Sequence, residues 1–289
     1  MNVVSGLLPI YAMLTLGYSV GRVRRTDAAR YVQIATLVLL FSVGVEASPA
    51  LRAGAARLLG ISAALGLSAG LASAALVWSI SGRSEPIEAS GSCGAPGWTL
   101  ATVSAVALGV LLSGRVPWAS GLLMPSLYLL MLLVGVDLAS GWSPRELFRA
   151  AAKSLWIPAA AAAASLSSGW VLGSALGIGP RLSLAASAGF GWYSLAGPLM
   201  AASAGPQAGA LGFFSNLMRE ISTVVLAPPV ARLGPEALAA MGGATAMDTT
   251  LGPISVAGGR RATVHAIVTG SLLTLVAPGL VYLLASSPA

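Results

Sequence analysis

The sequence predicts an all-α polytopic integral membrane protein, and composition, the spacing of apolar runs and the placement of basic residues each point to it. Apolar residues make up 56% of the chain and charged residues 9%, with a mean hydropathy of +0.84; an ordinary soluble domain carries roughly 25% charged residues. A bilayer core takes about 20 apolar residues per helical crossing. The 289 residues therefore hold at most about ten crossings and leave little for a soluble domain. The net charge of +7 does not mark a nucleic-acid binder: there is one lysine, and the arginines stand singly or in short groups between apolar runs. A phosphate footprint requires a clustered basic face.

Taken in order, the first six apolar runs, 3–21, 31–47, 57–80, 98–114, 118–138 and 153–177, read as ordinary spans. The first carries no basic segment ahead of it and ends in Arg22, Arg24 and Arg25, so it is expected to be a span and not a cleaved signal. The later runs, 182–203, 207–231, 236–254 and 262–285, are richer in Gly, Pro and polar residues, and some are expected to be re-entrant or broken. The total is about eight to ten transmembrane or re-entrant helices. Cys93, the only cysteine, lies in a Gly/Ser-rich connection and forms no internal disulfide.

Basic residues set the expected orientation. Arg22, Arg24, Arg25 and Arg30 crowd the first connection, Arg83 lies in the third, and Arg145, Arg149 and Lys153 crowd the fifth. These connections share a side, which the positive-inside rule makes cytoplasmic, so the N-terminus is expected outside. Trp78, Trp98, Trp118, Trp142, Trp156 and Trp170 stand at or near run ends, where an amphipathic ring suits the headgroups. Trp192 does not; it sits inside a Gly-rich motif.

An internal repeat is expected in the N-terminal half. Leu16-Gly-Tyr-Ser-Val-Gly-Arg-Val23 resembles Leu108-Gly-Val-Leu-Leu-Ser-Gly-Arg-Val116, and Leu39-Leu-Phe-Ser-Val-Gly-Val-Glu46 resembles Leu129-Leu-Met-Leu-Leu-Val-Gly-Val-Asp137. The copies lie three spans apart, and an odd separation inverts the topology, as in secondary transporters. A weaker echo links Leu195-Ala-Gly-Pro198 and Thr223-Val-Val-Leu-Ala-Pro228 to Leu251-Gly-Pro253 and Leu273-Thr-Leu-Val-Ala-Pro278. The organisation expected is a six-span region, 1–178, followed by a transport-site region with interrupted helices, 179–289.

Three constellations in that second region carry chemistry. Gly189-Phe-Gly191-Trp-Tyr193-Ser194-Leu-Ala-Gly-Pro198 breaks helical order and releases backbone polar groups at membrane depth, where Tyr193 and Ser194 add hydroxyls. Released amides at a half-helix start suit a carboxylate; the alternative is a packing kink. Asn216-Leu-Met-Arg219-Glu220 lies inside an apolar run, where each ionised residue costs on the order of 2.5–3.5 kcal/mol and calls for a counter-charge or a wet cavity. The alternative there is a structural pair buried between helices. In Gly242-Gly-Ala-Thr-Ala-Met-Asp248-Thr249-Thr-Leu-Gly-Pro253 an acid stands at a helix interruption, placed for proton relay or for plain N-capping. Glu46 and Asp137, at equivalent repeat positions, form a candidate additional cation site or are interfacial. His265 reads as an interface residue or a proton carrier, and the Met/Leu run at 122–133 as lipid or core surface.

The blocks Ser187-Ala-Gly-Phe-Gly-Trp-Tyr-Ser-Leu-Ala-Gly197, Phe213-Phe-Ser-Asn-Leu-Met-Arg-Glu220 and Gly243-Ala-Thr-Ala-Met-Asp-Thr-Thr-Leu251 resemble the signature blocks of the bacterial lysine exporter family (LysO type), densely over about 183–280. The resemblance implies a multipass inner-membrane protein exporting L-lysine and its analogue thialysine in exchange for protons. It also places the family's two intramembrane acids on Glu220 and Asp248. The acids at positions 46 and 137 depart from the family pattern.

The expected function is a secondary transporter with no cofactor, coupled to protons, or to sodium if Glu46 and Asp137 hold a cation for another small solute. Glu220 and Asp248 would bind ammonium groups or protons in turn, with Arg219 and the 189–198 segment on the α-carboxylate. Expected partners are the solute, membrane lipid and, as a candidate, a second copy of the chain. An intramembrane hydrolase would need a nucleophile and base or a metal cluster; one His, one Cys and no H-E-x-x-H leave only carboxylates. No connection is long enough for a signalling domain.

Overall fold

A computed structural model describes residues 3–24, 28–53, 56–82, 95–141 and 143–286, and every regular element among them is a helix. Long apolar runs become long helices because only a helix satisfies its own backbone in hydrocarbon. These are α1 (Val3–Arg24), α2 (Ala29–Ala53), α3 (Ala56–Ser81), α4 (Ala95–Leu112), α5 (Leu123–Gly141) and α7 (Trp156–Ala175), with 18 to 26 residues each. At 1.5 Å per residue they span a core of about 30 Å. A 3-10 turn, Pro117–Leu122, leads into α5.

Between α5 and α7 lies α6 (Pro144–Lys153), ten residues with none buried. It is opened by a capping box in which Ser143 and Glu146 exchange hydrogen bonds, with Pro144 at the first helical position. Arg145, Arg149 and Lys153 of the expected cytoplasmic connection thus lie on a short surface helix. Side chains of Trp98 and Trp142, and residues Arg83 and Cys93, lie outside the described residues; Trp78, Trp118 and Trp170 are exposed on the outer surface.

The remaining elements are shorter or bent: α8 (Pro180–Ser187), α9 (Tyr193–Ala204), α10 (Pro206–Ala231), α11 (Pro235–Gly242), a 3-10 turn (Gly243–Met247) and α12 (Leu251–Ser286). α8 and α11 have eight residues each, about 12 Å, and cannot cross.

Glycines set the packing of α1, α2, α4 and α5. Gly17 lies against the backbone of Leu132, Gly135 against Leu14 and Tyr18, and Gly21 against Val136 and Ala139, so α1 and α5 rise together as a parallel pair. Gly44 faces Val106, and Gly109 faces Phe41 and Val45; Ser48 donates to Val110 O at 3.1 Å and accepts from Ser113 at 2.8 Å. That makes α2 and α4 a second parallel pair. Small residues allow such close approach where there is no hydrophobic drive between helices. Because α2 follows α1 after four residues and runs back, α5 opposes α2. Glu46 and Asp137 therefore stand toward opposite ends of the helix layer, and are not brought together. The side chain of Glu46 lies outside the described residues.

The late segments form two hairpins. α9 turns into α10 at Gly205, whose φ of 91° suits glycine, and α10 runs back along α9: Phe213 covers Gly197, and Ala201 covers Gly209. α12 does the same at Gly259 (φ 65°, ψ −169°). Thr263 donates to Ser255 at 2.9 Å, and Thr274 to Ala244 O at 3.4 Å. Residues eight apart on a straight helix would be about 12 Å apart. α12 is thus two helices folded back at that glycine, not one long rod.

Both short helices are the entering arms of re-entrant loops. Glu236 at the start of α11 meets Arg261 (3.9 Å) and His265 (3.4 Å) just after the Gly259 turn, so the chain from 235 to 258 enters and leaves at one end. α8 packs on the end of α7, with Ser183 and Ser187 filling the space beside Gly173 and Gly169. Its Leu182, Ala185 and Ala186 share an apolar cluster with Leu199, Met200 and Ala204 of α9. The 180–204 loop therefore opens at the end where α10 begins, and 235–258 at the end where α10 finishes. Two opposed re-entrant loops result among the described residues, beside three stretches long and apolar enough to cross a membrane by length and composition, within 57–81, 144–175 and 251–286.

Candidate functional site

The two re-entrant loops touch at their tips. Ala244 N–H donates to Phe190 O at 2.8 Å, and Gly191 sits over Thr245 and the Gly242 carbonyl. Phe190 holds a φ of 49°, a left-handed conformation rare for a bulky side chain, as found where surrounding structure overrides local preference.

α10 runs past this crossing with a buried polar stripe in its middle: Ser215, Asn216, Arg219, Glu220 and Thr223. From Asn216 to Thr223 the spacing is that of one helix face at i, i+3, i+4 and i+7, with Ser215 on its flank. Asn216 spends its amide on the first loop: Oδ1 accepts from Gly191 N–H at 2.7 Å, and Nδ2 donates to Ala186 O and Gly212 O, both at 2.8 Å. Arg219, only 1% exposed, donates from Nε to Met241 O (3.1 Å), from Nη2 to Ala240 O (3.1 Å) and Ser73 Oγ (3.2 Å), and from Nη1 to Ser165 Oγ (2.9 Å). Glu220 is 2% exposed at the same depth. Thr223 donates to Arg219 O at 2.9 Å.

Asp248 closes the second tip at the start of α12, with unusual backbone angles (φ −128°, ψ −101°). Its Oδ1 accepts from the Thr249 amide and, at 3.2 Å, from the Thr249 hydroxyl. Thr250 instead turns back to Thr245 O at 2.9 Å. The carboxylate is half-buried, so capping and ligand binding are both open to it through different oxygens.

The first tip is less open than a string of glycines suggests. The amides of Gly189, Phe190, Trp192 and Tyr193 bond to Ala186 O, Ser187 O, Gly189 O and Gly191 O, at 2.8 to 3.3 Å, and that of Gly191 to Asn216. The tip also carries two hydroxyl side chains: Tyr193, buried with its ring edge-on to Phe213 at 5.1 Å, and exposed Ser194, which accepts from Trp192 Nε1 at 3.1 Å.

Of the residues read from sequence, Gly191, Tyr193, Ser194, Asp248 and Thr249 lie at the two tips, Asn216 and Arg219 bond to the loops from α10, and Glu220 is buried on that same helix. Asp137 is elsewhere, paired with Arg260 (Nε to Oδ2, 3.3 Å) beside the Gly259 turn. His265 is buried between Ser154 (Nδ1 to Oγ, 2.6 Å) and Glu236. Sequence reading missed Ser73 and Ser165, which reach Arg219 from α3 and α7. One serine among several in an alanine-rich span carries no signal of a guanidinium two helices away. No group of three potential metal ligands occurs among the described residues.

Comparison with known proteins bears on the same stretch. The family model described as lysine exporter LysO matches residues 99–285. The lysine exporter LysO of Escherichia coli strain K12 is 33% identical over 156 residues, 54% of this chain and 52% of that protein. A putative lysine exporter of Haemophilus influenzae is 38% identical over 105 residues, 36% of this chain and 54% of its own length. The chain thus matches about half the length of these relatives. No solved structure matches. With the family match covering most of the chain, and both tips and the α10 stripe inside it, this multipass membrane protein belongs to the lysine exporter LysO family.

Proposed function

We propose that the chain exports lysine and analogues such as thialysine across the inner membrane in exchange for protons, acting as a carrier and not as an enzyme. The observation that carries the proposal is the meeting of two oppositely entering loops, with one acid on a tip, Asp248, and a second acid, Glu220, buried on α10. Paired interrupted segments are where carriers bind solute and coupling ion. Carboxylates at membrane depth stay there for function more often than for stability.

In this reading Glu220 and Asp248 hold the ammonium groups or protons in turn. Tyr193, Ser194 and Thr249 supply hydroxyls to the α-carboxylate, and the start of α12 presents its positive end to it. Protonating the acids from outside weakens cation binding and favours release there. The N-terminus lies outside, which puts α6, Arg260, Arg261 and the mouth of the second loop on the cytoplasmic side. The matched glycine pairs, Gly17 with Gly135 and Gly109 with Gly44, support reading α1–α2 and α4–α5 as an inverted repeat.

Proteoliposomes carrying the purified chain and loaded with labelled lysine provide the test. Lysine exit should accelerate under an inward proton gradient, and a Glu220→Gln, Asp248→Asn double substitution should reduce exit by at least about 100-fold, the loss of two charge-assisted contacts. Absence of proton-linked lysine exchange in the unmodified protein would overturn the assignment; full transport by the double variant would overturn the role of the acids.

A further inference from the structure

Arg219 has the charge to grip a substrate carboxylate, yet its surroundings give it other work. Four of its five N–H donors are matched to oxygens of the fold. Two of these, Ala240 O and Met241 O, are end carbonyls of α11, which a helix leaves without partners and which form the negative end of its dipole. The third, Ser165 Oγ, itself donates to Ser187 O at 2.9 Å, the last residue of α8. The fourth, Ser73 Oγ, joins α3 to α7 through Ala161 O at 3.0 Å. The space is cut to the side chain: a Cβ added at Gly243 would stand 3.0 Å from Nη2 and 3.2 Å from Cζ, and one at Gly70 would lie 3.6 Å from Cγ.

We propose that Arg219 is a positioning residue that locks the two loop tips together, directly on α11 and through Ser165 on α8, and that it does not touch the transported solute. The lock rests on the lysine-carrier reading only for its functional readout. A guanidinium pointed at solute would have a fork of donors free for it; here both Nη2 donors and Nε are inside the fold. Asn216, one turn earlier, performs the same task for the first tip alone. The solute-binding groups are then the acids and hydroxyls, and Arg219 holds the loops that carry them.

A carboxylate ligand and a lock differ in what they discriminate. Labelled lysine exit from proteoliposomes would be inhibited with unlabelled lysine or with 1,5-diaminopentane, the same diamine without the carboxylate, for the parent, Arg219→Lys and Ser165→Ala. The lock predicts that both variants slow exit by about 10-fold or more, from loss of a buried charged hydrogen bond. It also predicts that the ratio of the two inhibition constants stays within about twofold of the parent's. A ratio that collapses toward one in Arg219→Lys, with Ser165→Ala like the parent, would overturn the proposal.

A solute-free arm separates the lock from the carrier reading. With Ser194→Cys as reporter on a Cys93→Ser background, maleimide labelling in detergent should quicken several-fold when Ser165→Ala is added. Unchanged labelling would overturn the lock even if lysine proved not to be the solute. If the parent fails to move lysine yet the labelling quickens, the lock stands and the lysine assignment falls.

Discussion

The glycine-packed pairs α1–α5 and α2–α4 and the re-entrant loops with α10 meet the same demand, to bury backbone in an apolar medium, by opposite means. In the pairs, small residues let backbones touch, and each helix satisfies its own hydrogen bonds. In the loops the ladder is broken twice, and the orphaned groups are satisfied by side chains from other helices: Asn216 for Ala186 and Gly191, Arg219 for Ala240 and Met241. The first solution tolerates no added volume and needs no particular chemistry. The second needs particular chemistry at every position. Substitution in the pairs should therefore cost folded protein, and substitution in the loops should cost flux.

The largest stability effect is expected at Gly17 and Gly109. A methyl at either would overlap a backbone carbonyl, Leu132 O or Phe41 O, which has no rotamer to yield. Gly17→Val or Gly109→Val should each destabilise by about 1–3 kcal/mol, the usual penalty of overpacking, read as a lower unfolding temperature in detergent. Turnover per folded molecule should hold within about twofold. If instead turnover collapses in a normally stable variant, the division between packing and transport regions is wrong.

Gly259 sits where the two solutions join and should give an intermediate effect. Its φ of 65° carries the reversal that lays 260–286 along the second loop. Alanine there is strained by about 1–3 kcal/mol, since φ 65° with ψ −169° is essentially glycine-only, and a straighter α12 would draw Thr274 away from Ala244 and loosen the second tip. Gly259→Ala should lower both the unfolding temperature and lysine exit. A variant altered in only one of these would show that the turn serves a single region.

How far the fold could be read beforehand follows from the same contrast. Spans α1 to α5 and α7 were legible within a few residues because apolar length is a strong signal. The breaks were legible from their glycines but are shorter than expected, 188–192 and 243–250: the Gly-Pro pairs 197–198 and 252–253 lie inside α9 and α12, where a proline is tolerated near a helix start. The glycines of the repeat were visible as matched motifs, but not that they pair α1 with α5 and α4 with α2, since partner choice depends on the whole bundle. Arg219 and Asn216 were legible as costly polar residues and were read as ligands. Both meet backbone carbonyls, to which every residue contributes alike, and which ones converge is decided only by the folded bundle. Glu220 and Asp248 stand out in the sequence itself, because an acid at membrane depth is marked by its cost alone.

The smallest effect is expected at Asp137, where the pair with Arg260 ties α5 to the base of the second loop. Side chains of the two are 22% and 38% exposed and 3.3 Å apart, so solvent screens much of the attraction, and such pairs contribute about 0–1 kcal/mol. Asp137 is set toward the opposite end from Glu46 and already faces a guanidinium, which leaves it poorly placed to share a sodium ion with that residue. Asp137→Asn should therefore change the unfolding temperature little, and it should leave lysine exit within about twofold in sodium and in potassium media alike. A loss of flux confined to sodium medium would instead make Asp137 a coupling-ion ligand, and would move part of the transport chemistry into the region assigned here to packing.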